Sequence, residues 1–137
     1  MDDIKNFFKF LEDKEGKKTP LKYKLLYDPD SITSEDLVVE GDLNLNYSKI
    51  TSLPDNLTVK GDLDLDDSEL EFLPNNLKVG ETLYLSDTQV SSIPNNLQVG
   101  RHLYIINTPL TGKYSTKEIK KMIEDKGGYV KGVIYWE

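Results

Sequence analysis

Apolar positions recur along most of this chain at a spacing of twenty residues. Leu43, Leu63, Leu83 and Leu103 open successive copies, each followed two residues later by Leu45, Leu65, Leu85 or Ile105. Ile50, Leu70 and Val90 come next, followed by Leu53-Pro54, Leu73-Pro74 and Ile93-Pro94. Asn56-Leu57, Asn76-Leu77 and Asn96-Leu97 lead into Val59, Val79 and Val99. One such copy has too few apolar side chains to enclose a core, so a fixed period of this length predicts a solenoid in which stacking supplies the interior.

Inside each copy the pattern changes to strict alternation. In Val59-Lys60-Gly61-Asp62-Leu63-Asp64-Leu65 apolar and polar residues alternate with period two, which predicts a strand with Leu63 and Leu65 inward and Asp62, Asp64 and Asp66 outward. Parallel stacking at roughly 4.8 Å per coil brings equivalent outward residues into columns. One column reads Asn44, Asp64, Tyr84, Tyr104; a second Asp42, Asp62, Thr82, His102; a third Asn46, Asp66, Ser86, Ile106. Gly41, Gly61, Gly80, Gly100 and Gly132 recur with the coil and predict tight backbone turns.

The regular period stops after Pro109, yet Val130-Lys131-Gly132-Val133-Ile134-Tyr135-Trp136 repeats the spacing of Val59 to Leu65. From Leu103 to Ile134 is 31 residues, eleven more than one period. The extra residues predict a helix: Ser115-Thr116-Lys117-Glu118 has the form of a capping box, Ile119, Met122 and Ile123 have helical spacing, and Gly127-Gly128 is a stop. Tyr135 then extends the first column, and Trp136, matching Leu65, is expected to plug the core. At the other end, Ile4, Phe7, Phe8 and Leu11 predict an amphipathic capping helix over residues 2–13. Leu21, Tyr23 and Leu25 alternate as in a strand, and Asp36 to Gly41 matches Asn56 to Gly61, so the repeats begin near Asp36. The chain reads as a single α/β solenoid domain, 1–137, with a cap and lead-in over 1–35, repeats over 36–110, and a closing helix and strand over 111–137.

Composition adds three constraints. With 37% hydrophobic and 30% charged residues the chain falls in the globular range, not the disordered one. The lack of cysteine removes disulfides, thiolate metal sites and cysteine nucleophiles together. No apolar run approaches the roughly 18 to 20 residues that span a bilayer, and Met1-Asp2-Asp3-Ile4-Lys5 lacks a basic stretch leading into one, so a cytoplasmic protein with no membrane partner is expected.

The net charge of −7 is unevenly placed. Residues 35–75 hold eleven acidic residues against Lys49 and Lys60, a local balance of −9, while residues 1–34 are neutral and 76–137 carry +2. A surface this acidic repels phosphate backbones, so nucleic acid is not an expected partner and a basic protein is.

The pattern Leu83-x-Leu85-x-x-Thr88-x-Val90-x-x-Ile93-Pro94 resembles the short, bacterial type of leucine-rich repeat, and similar repeats occur in phage-encoded proteins of unassigned function. The resemblance covers about residues 36–136 and implies a leucine-rich-repeat-like stack with short parallel strands. The family usually carries Asn where this chain has Ser48, Ser68, Thr88 and Thr108; a buried hydroxyl ladder meets the same backbone groups with shorter reach. Larger bacterial relatives attach a domain that ligates ubiquitin through a cysteine, an activity this cysteine-free chain is not expected to share.

Candidate chemistry is sparse. Asp62, Asp64, Asp66 and Asp67 resemble the start of a calcium loop, but that register puts Asp67 where Gly is required and Leu73 where a bidentate Glu is required. No phosphate loop is present, His102 has no motif partner, and no carboxylate pair lies in an apolar setting suited to acid catalysis. No catalytic, cofactor or metal residue is therefore expected. The adjacency of Asp42 and Asp62 costs something under ~1 kcal/mol of cross-strand repulsion and points to a basic ligand. Tyrosines are enriched in protein-binding hot spots. The expected function is non-enzymatic protein binding through Asp42, Asn44, Asp62, Asp64, Tyr84, His102, Tyr104 and Tyr135, with a host or defence protein as the partner that the phage resemblance suggests. Two alternatives use the same fold: an acidic decoy for the nucleic-acid groove of a host enzyme, and an assembly protein that stacks through open ends. A monomer or weak oligomer is expected.

Overall fold

The computed structural model describes residues 19–137. The helix expected over residues 2–13 lies outside them. Among the described residues ten two-residue strands form two parallel sheets. One contains β1 (Val38–Val39), β3 (Thr58–Val59), β5 (Lys78–Val79), β7 (Gln98–Val99) and β9 (Tyr129–Val130) in that order. The other contains β2 (Leu43–Asn44), β4 (Leu63–Asp64), β6 (Leu83–Tyr84), β8 (Leu103–Tyr104) and β10 (Ile134–Tyr135). Each coil gives one strand to each sheet, so the chain winds as a solenoid of stacked parallel-strand coils with a few helices.

The alternating segment expected to be one strand is broken in two around Gly61. Its backbone there bends instead of continuing the ladder, and the Asp62 N–H is taken by the Asp42 carboxylate at 2.7 Å. A Cβ at Gly61 would overlap the Asp42 carboxylate and crowd the Gly41 carbonyl carbon of the preceding coil, so the close approach at Gly61 leaves no room for a side chain. Positive φ is not the reason: Gly127 is the only glycine with positive φ among the described residues. The left-handed turns fall instead to Tyr47, Asp67, Asp87 and Asn107 at one corner and Asn56, Asn76 and Asn96 at another, with φ between 56° and 67°. Asn and Asp tolerate that conformation better than most side chains do.

The repeated apolar positions line the interior as predicted. Leu57, Leu63, Leu65, Leu70, Leu77 and Leu83 are fully buried, and Leu97, Leu103 and Ile105 nearly so. Each such side chain contributes roughly 1.5–3 kcal/mol by leaving water. The hydroxyl column is also present: Ser48, Ser68, Thr88 and Thr108 donate to the carbonyls of Leu45, Leu65, Leu85 and Ile105 at 2.7, 2.7, 2.8 and 3.0 Å. Each bond closes the turn that follows the second-sheet strand.

Helices lie toward both ends of the described residues, those on the C-terminal side preceding β9 and β10. Leu21–Tyr27 forms α1, not the expected strand. Leu21 and Leu25 are four residues apart, so a helical turn puts both on the core side, which alternation would also allow. Lys24 on α1 bonds Asp36 at 3.0 Å. Burial pushes the Asp36 carboxyl up, but the Thr33 N–H and the Lys24 ammonium outweigh it and hold the pKa below its ordinary value. At the other end, α2 (Pro109–Lys113), which sequence did not predict, precedes α3 (Thr116–Asp125). In α3 the capping box forms as expected, with Glu118 N–H to Ser115 Oγ at 3.1 Å and Ser115 N–H to Glu118 Oε1 at 3.2 Å. Gly127 and Gly128 end the helix by donating to the carbonyls of Glu124 and Ile123, a Schellman motif. Leu110, Ile119 and Ile123 are buried in the core. They take up the interior that Trp136 was expected to plug, and Trp136 is 50% exposed.

Candidate interaction face

The first column forms in the predicted register. Asn44 pairs with Asp64, Asp64 with Tyr84, Tyr84 with Tyr104 and Tyr104 with Tyr135 along the second sheet. The insertion of α2 and α3 leaves that register intact, because β10 rejoins the ladder at Leu103 through Ile134. The result is one polar column, acidic and amide at one end and aromatic at the other.

The tyrosine rings stack on one another. Tyr84 and Tyr104 lie with centroids 5.1 Å apart and planes 13° from parallel, and Tyr104 and Tyr135 lie 4.5 Å apart at 17°. His102 meets Tyr135 edge-on at 5.6 Å and 70°. Such pairs contribute roughly 0.5–1.5 kcal/mol beyond their burial. Both faces of Tyr104 are therefore occupied by rings. All three tyrosines are half-buried. Burial, followed by the nearby Asp62 carboxylate, pushes the Tyr84 phenol above its ordinary pKa.

The second and third columns carry a different chemistry. Asp42 Oδ1 accepts the Asp62 N–H at 2.7 Å, Asp62 Oδ1 accepts the Thr82 N–H at 2.9 Å, and His102 Nδ1 accepts the Val133 N–H at 3.0 Å. That last bond requires the tautomer with its proton on Nε2. In the third column Asp66 Oδ1 accepts from Ser86 N–H at 2.7 Å, and Ser86 Oγ from Ile106 N–H at 3.1 Å. Each coil thus caps a backbone donor of the next. Asp42 and Asp62 have a structural reason to be acceptors, so their repulsion alone no longer argues for a ligand. Thr82 and Ser86, expected to face outward, are buried because short side chains in these columns are overtopped by their neighbours.

Asp66 is the most perturbed carboxyl on this face. Burial raises its pKa to about 6; the Ser86 N–H works against that, and the charges of Asp64, Asp67 and Asp87 add to the rise. Among the described residues no group of His, Cys, Asp or Glu is arranged to hold a metal ion. Asp62, Asp64 and Asp66 of the calcium-like run each accept a backbone N–H.

Two features escaped sequence reasoning. Val133 and Trp136, which flank the last strand, are each 50% exposed. Lys131 Nζ lies 5.6 Å from the Tyr129 ring centroid on the neighbouring sheet. The exposure of Trp136, whose equivalents Leu65, Leu85 and Ile105 are buried, is encoded by no spacing. No described helix is long and apolar enough to cross a membrane. Compared with known proteins, the chain matches no family model, no curated protein and no solved structure.

Proposed function

We propose that this chain is a non-enzymatic binding module that meets a partner protein across the second parallel sheet. The supporting observation is the single column Asn44, Asp64, Tyr84, Tyr104 and Tyr135, held in register by the ladder and rigidified by ring stacking. Pre-organised aromatic side chains lose little entropy on binding, which is what a hot spot needs. Asp42, Asp62 and His102 flank the column and fix the backbone beneath it. In this reading the coils are a short leucine-rich-repeat variant and the terminal helices are its caps. The setting of a phage-encoded modulator meeting a host protein rests on the repeat resemblance alone.

The acidic-decoy reading is weaker. Asp42, Asp62 and Asp66 each serve an inter-coil hydrogen bond, which accounts for part of the acidity without a nucleic-acid groove. The test is affinity capture from cell lysate with the wild-type chain and with Tyr84→Ala/Tyr104→Ala, circular dichroism reporting the fold. Loss of the captured protein with the fold intact supports the strand face. Undiminished capture overturns it, and capture of a basic protein displaced by DNA at low salt favours the decoy.

A further inference from the structure

The tyrosine column ends against carboxylates, and this junction has a specific reading that rests on the strand-face proposal. One face of Tyr84 is covered by Tyr104 at 5.1 Å; the opposite face looks along the column to Asp64, its in-register neighbour. Asp62 lies two residues before Asp64 on the same coil, and both carboxylates are half-buried. The ion pairs among the described residues are Lys24–Asp36, Lys60–Glu40, Arg101–Glu81 and Lys121–Asp125. None of them gives Asp62 or Asp64 a cation.

We propose that the Asp62, Asp64 and Tyr84 junction seats an arginine side chain presented by the partner protein. A guanidinium is planar and weakly hydrated, so it can lie on an aromatic face while its edge donates to a carboxylate. Tyr84 supplies the ring face opposite Tyr104. Asp64 supplies Oδ2, whose one bond among the described residues is a long 3.4 Å contact from Asn46 Nδ2, while its Oδ1 takes the Asp66 N–H at 3.0 Å. Asp62 binds the Thr82 N–H through Oδ1 only and adds a second negative charge. An ammonium gains the charge but not the stacked plane, and a neutral isostere of arginine gains the plane but not the charge. Arginine uses both parts of the junction.

The experiment titrates the nitrogen-15-labelled full chain with the blocked peptide Gly-Arg-Gly-Arg-Gly and with its lysine and citrulline counterparts. The expected result is that the arginine peptide shifts the backbone amides of Asp64, Leu65 and Tyr84 and leaves the Trp136 indole unmoved. Citrulline produces no such shift, and lysine binds roughly three- to tenfold more weakly. Asp64→Asn keeps the acceptor for the Asp66 N–H, as Asn44 does for Asn46 at 3.0 Å, so it tests charge without disturbing the turn. Asp64→Asn and Tyr84→Ala each weaken arginine binding roughly fivefold, and Tyr84→Phe restores it. Equal binding of the citrulline peptide, shifts centred on Trp136, or unchanged affinity in both variants overturns the proposal. Lysate capture lost in the double alanine variant without any arginine-peptide response overturns the arginine seat and leaves the face reading standing. A response at Tyr84 with undiminished capture overturns the face reading instead.

Discussion

Gly100 lies so close to Gly80 of the preceding coil that a Cβ at Gly100 would overlap the Gly80 carbonyl. The contact is backbone on backbone, and Gly100 N–H also donates to Val79 at 2.8 Å, so neither side can yield without breaking the ladder. Gly100→Ala is expected to destabilise the fold by about 2 kcal/mol or more. Gly41→Ala is the matched control: nothing lies within 4 Å of a Cβ there, and its effect should be neutral or slightly stabilising. Urea unfolding of both variants checks the pair.

The buried hydroxyl of Thr88 closes its turn by donating to Leu85 at 2.8 Å. Thr88→Val keeps the shape and removes the donor, at an expected cost of about 1–3 kcal/mol. Thr88→Ser keeps the donor and loses one methyl, for about 1 kcal/mol. If valine proves the milder change, packing and not the hydrogen bond secures this turn.

Asp66 makes stability depend on pH in a direction opposite to that of most carboxylates. Its pKa rises from 3.8 to about 6 in the folded chain, so the proton binds more tightly when folded. The resulting stabilisation is full below the unfolded value near 3.8 and is lost as pH rises through about 6. Asp66→Asn removes the charge and can still accept from Ser86 N–H. It is expected to gain about 1 kcal/mol over wild type at pH 7.5, with solvent screening allowed for, and to lose that advantage by pH 4. Thermal melts of both proteins across this range measure it.

Tyr47 holds a left-handed φ of 56° at the turn where later coils use Asp67, Asp87 and Asn107. A bulky aromatic pays more for that conformation than Asn does. Tyr47→Asn should therefore raise the melting temperature by a few degrees, provided that the turn remains left-handed. A drop would mean that the Tyr47 contact with Asp67, which together with the Asp67 charge pushes its phenol up, outweighs the backbone strain.

The column of Asn44, Asp64, Tyr84, Tyr104 and Tyr135 was legible in the chain because a constant period converts sequence offset directly into register. The eleven-residue excess before Ile134 did not hide the last strand, since Val130, Gly132 and Ile134 kept their mutual spacing. The reading failed where no second copy constrained it, and where the end of the stack changed what surrounds a repeated position. Leu21, Tyr23 and Leu25 fit alternation, yet Leu21 and Leu25 also fit one helical turn, and packing of both against the core selected the helix. Trp136 matched Leu65 in spacing, but Leu110, Ile119 and Ile123 fill the interior at that end. The roles of Asp42, Asp62 and Asp66 as acceptors for the next coil were not readable either. Charge is visible in a sequence; which donor will sit 20 residues away and within 3 Å is visible only once the pitch is known.

The inter-coil acceptors have an engineering consequence. Asp62 and Asn75 each reach the coil that follows at an offset of 20 residues, so a tandem copy of residues 76–95 would bring its own turn residues, hydroxyl and tyrosine. Such an insertion would act like an added rung, moving the carboxylate end roughly 4.8 Å further from Tyr135 and lengthening the run of rings by one. The molecule is in this sense a ruler with an adjustable scale, on which the distance between an acidic and an aromatic patch can be set by counting rungs.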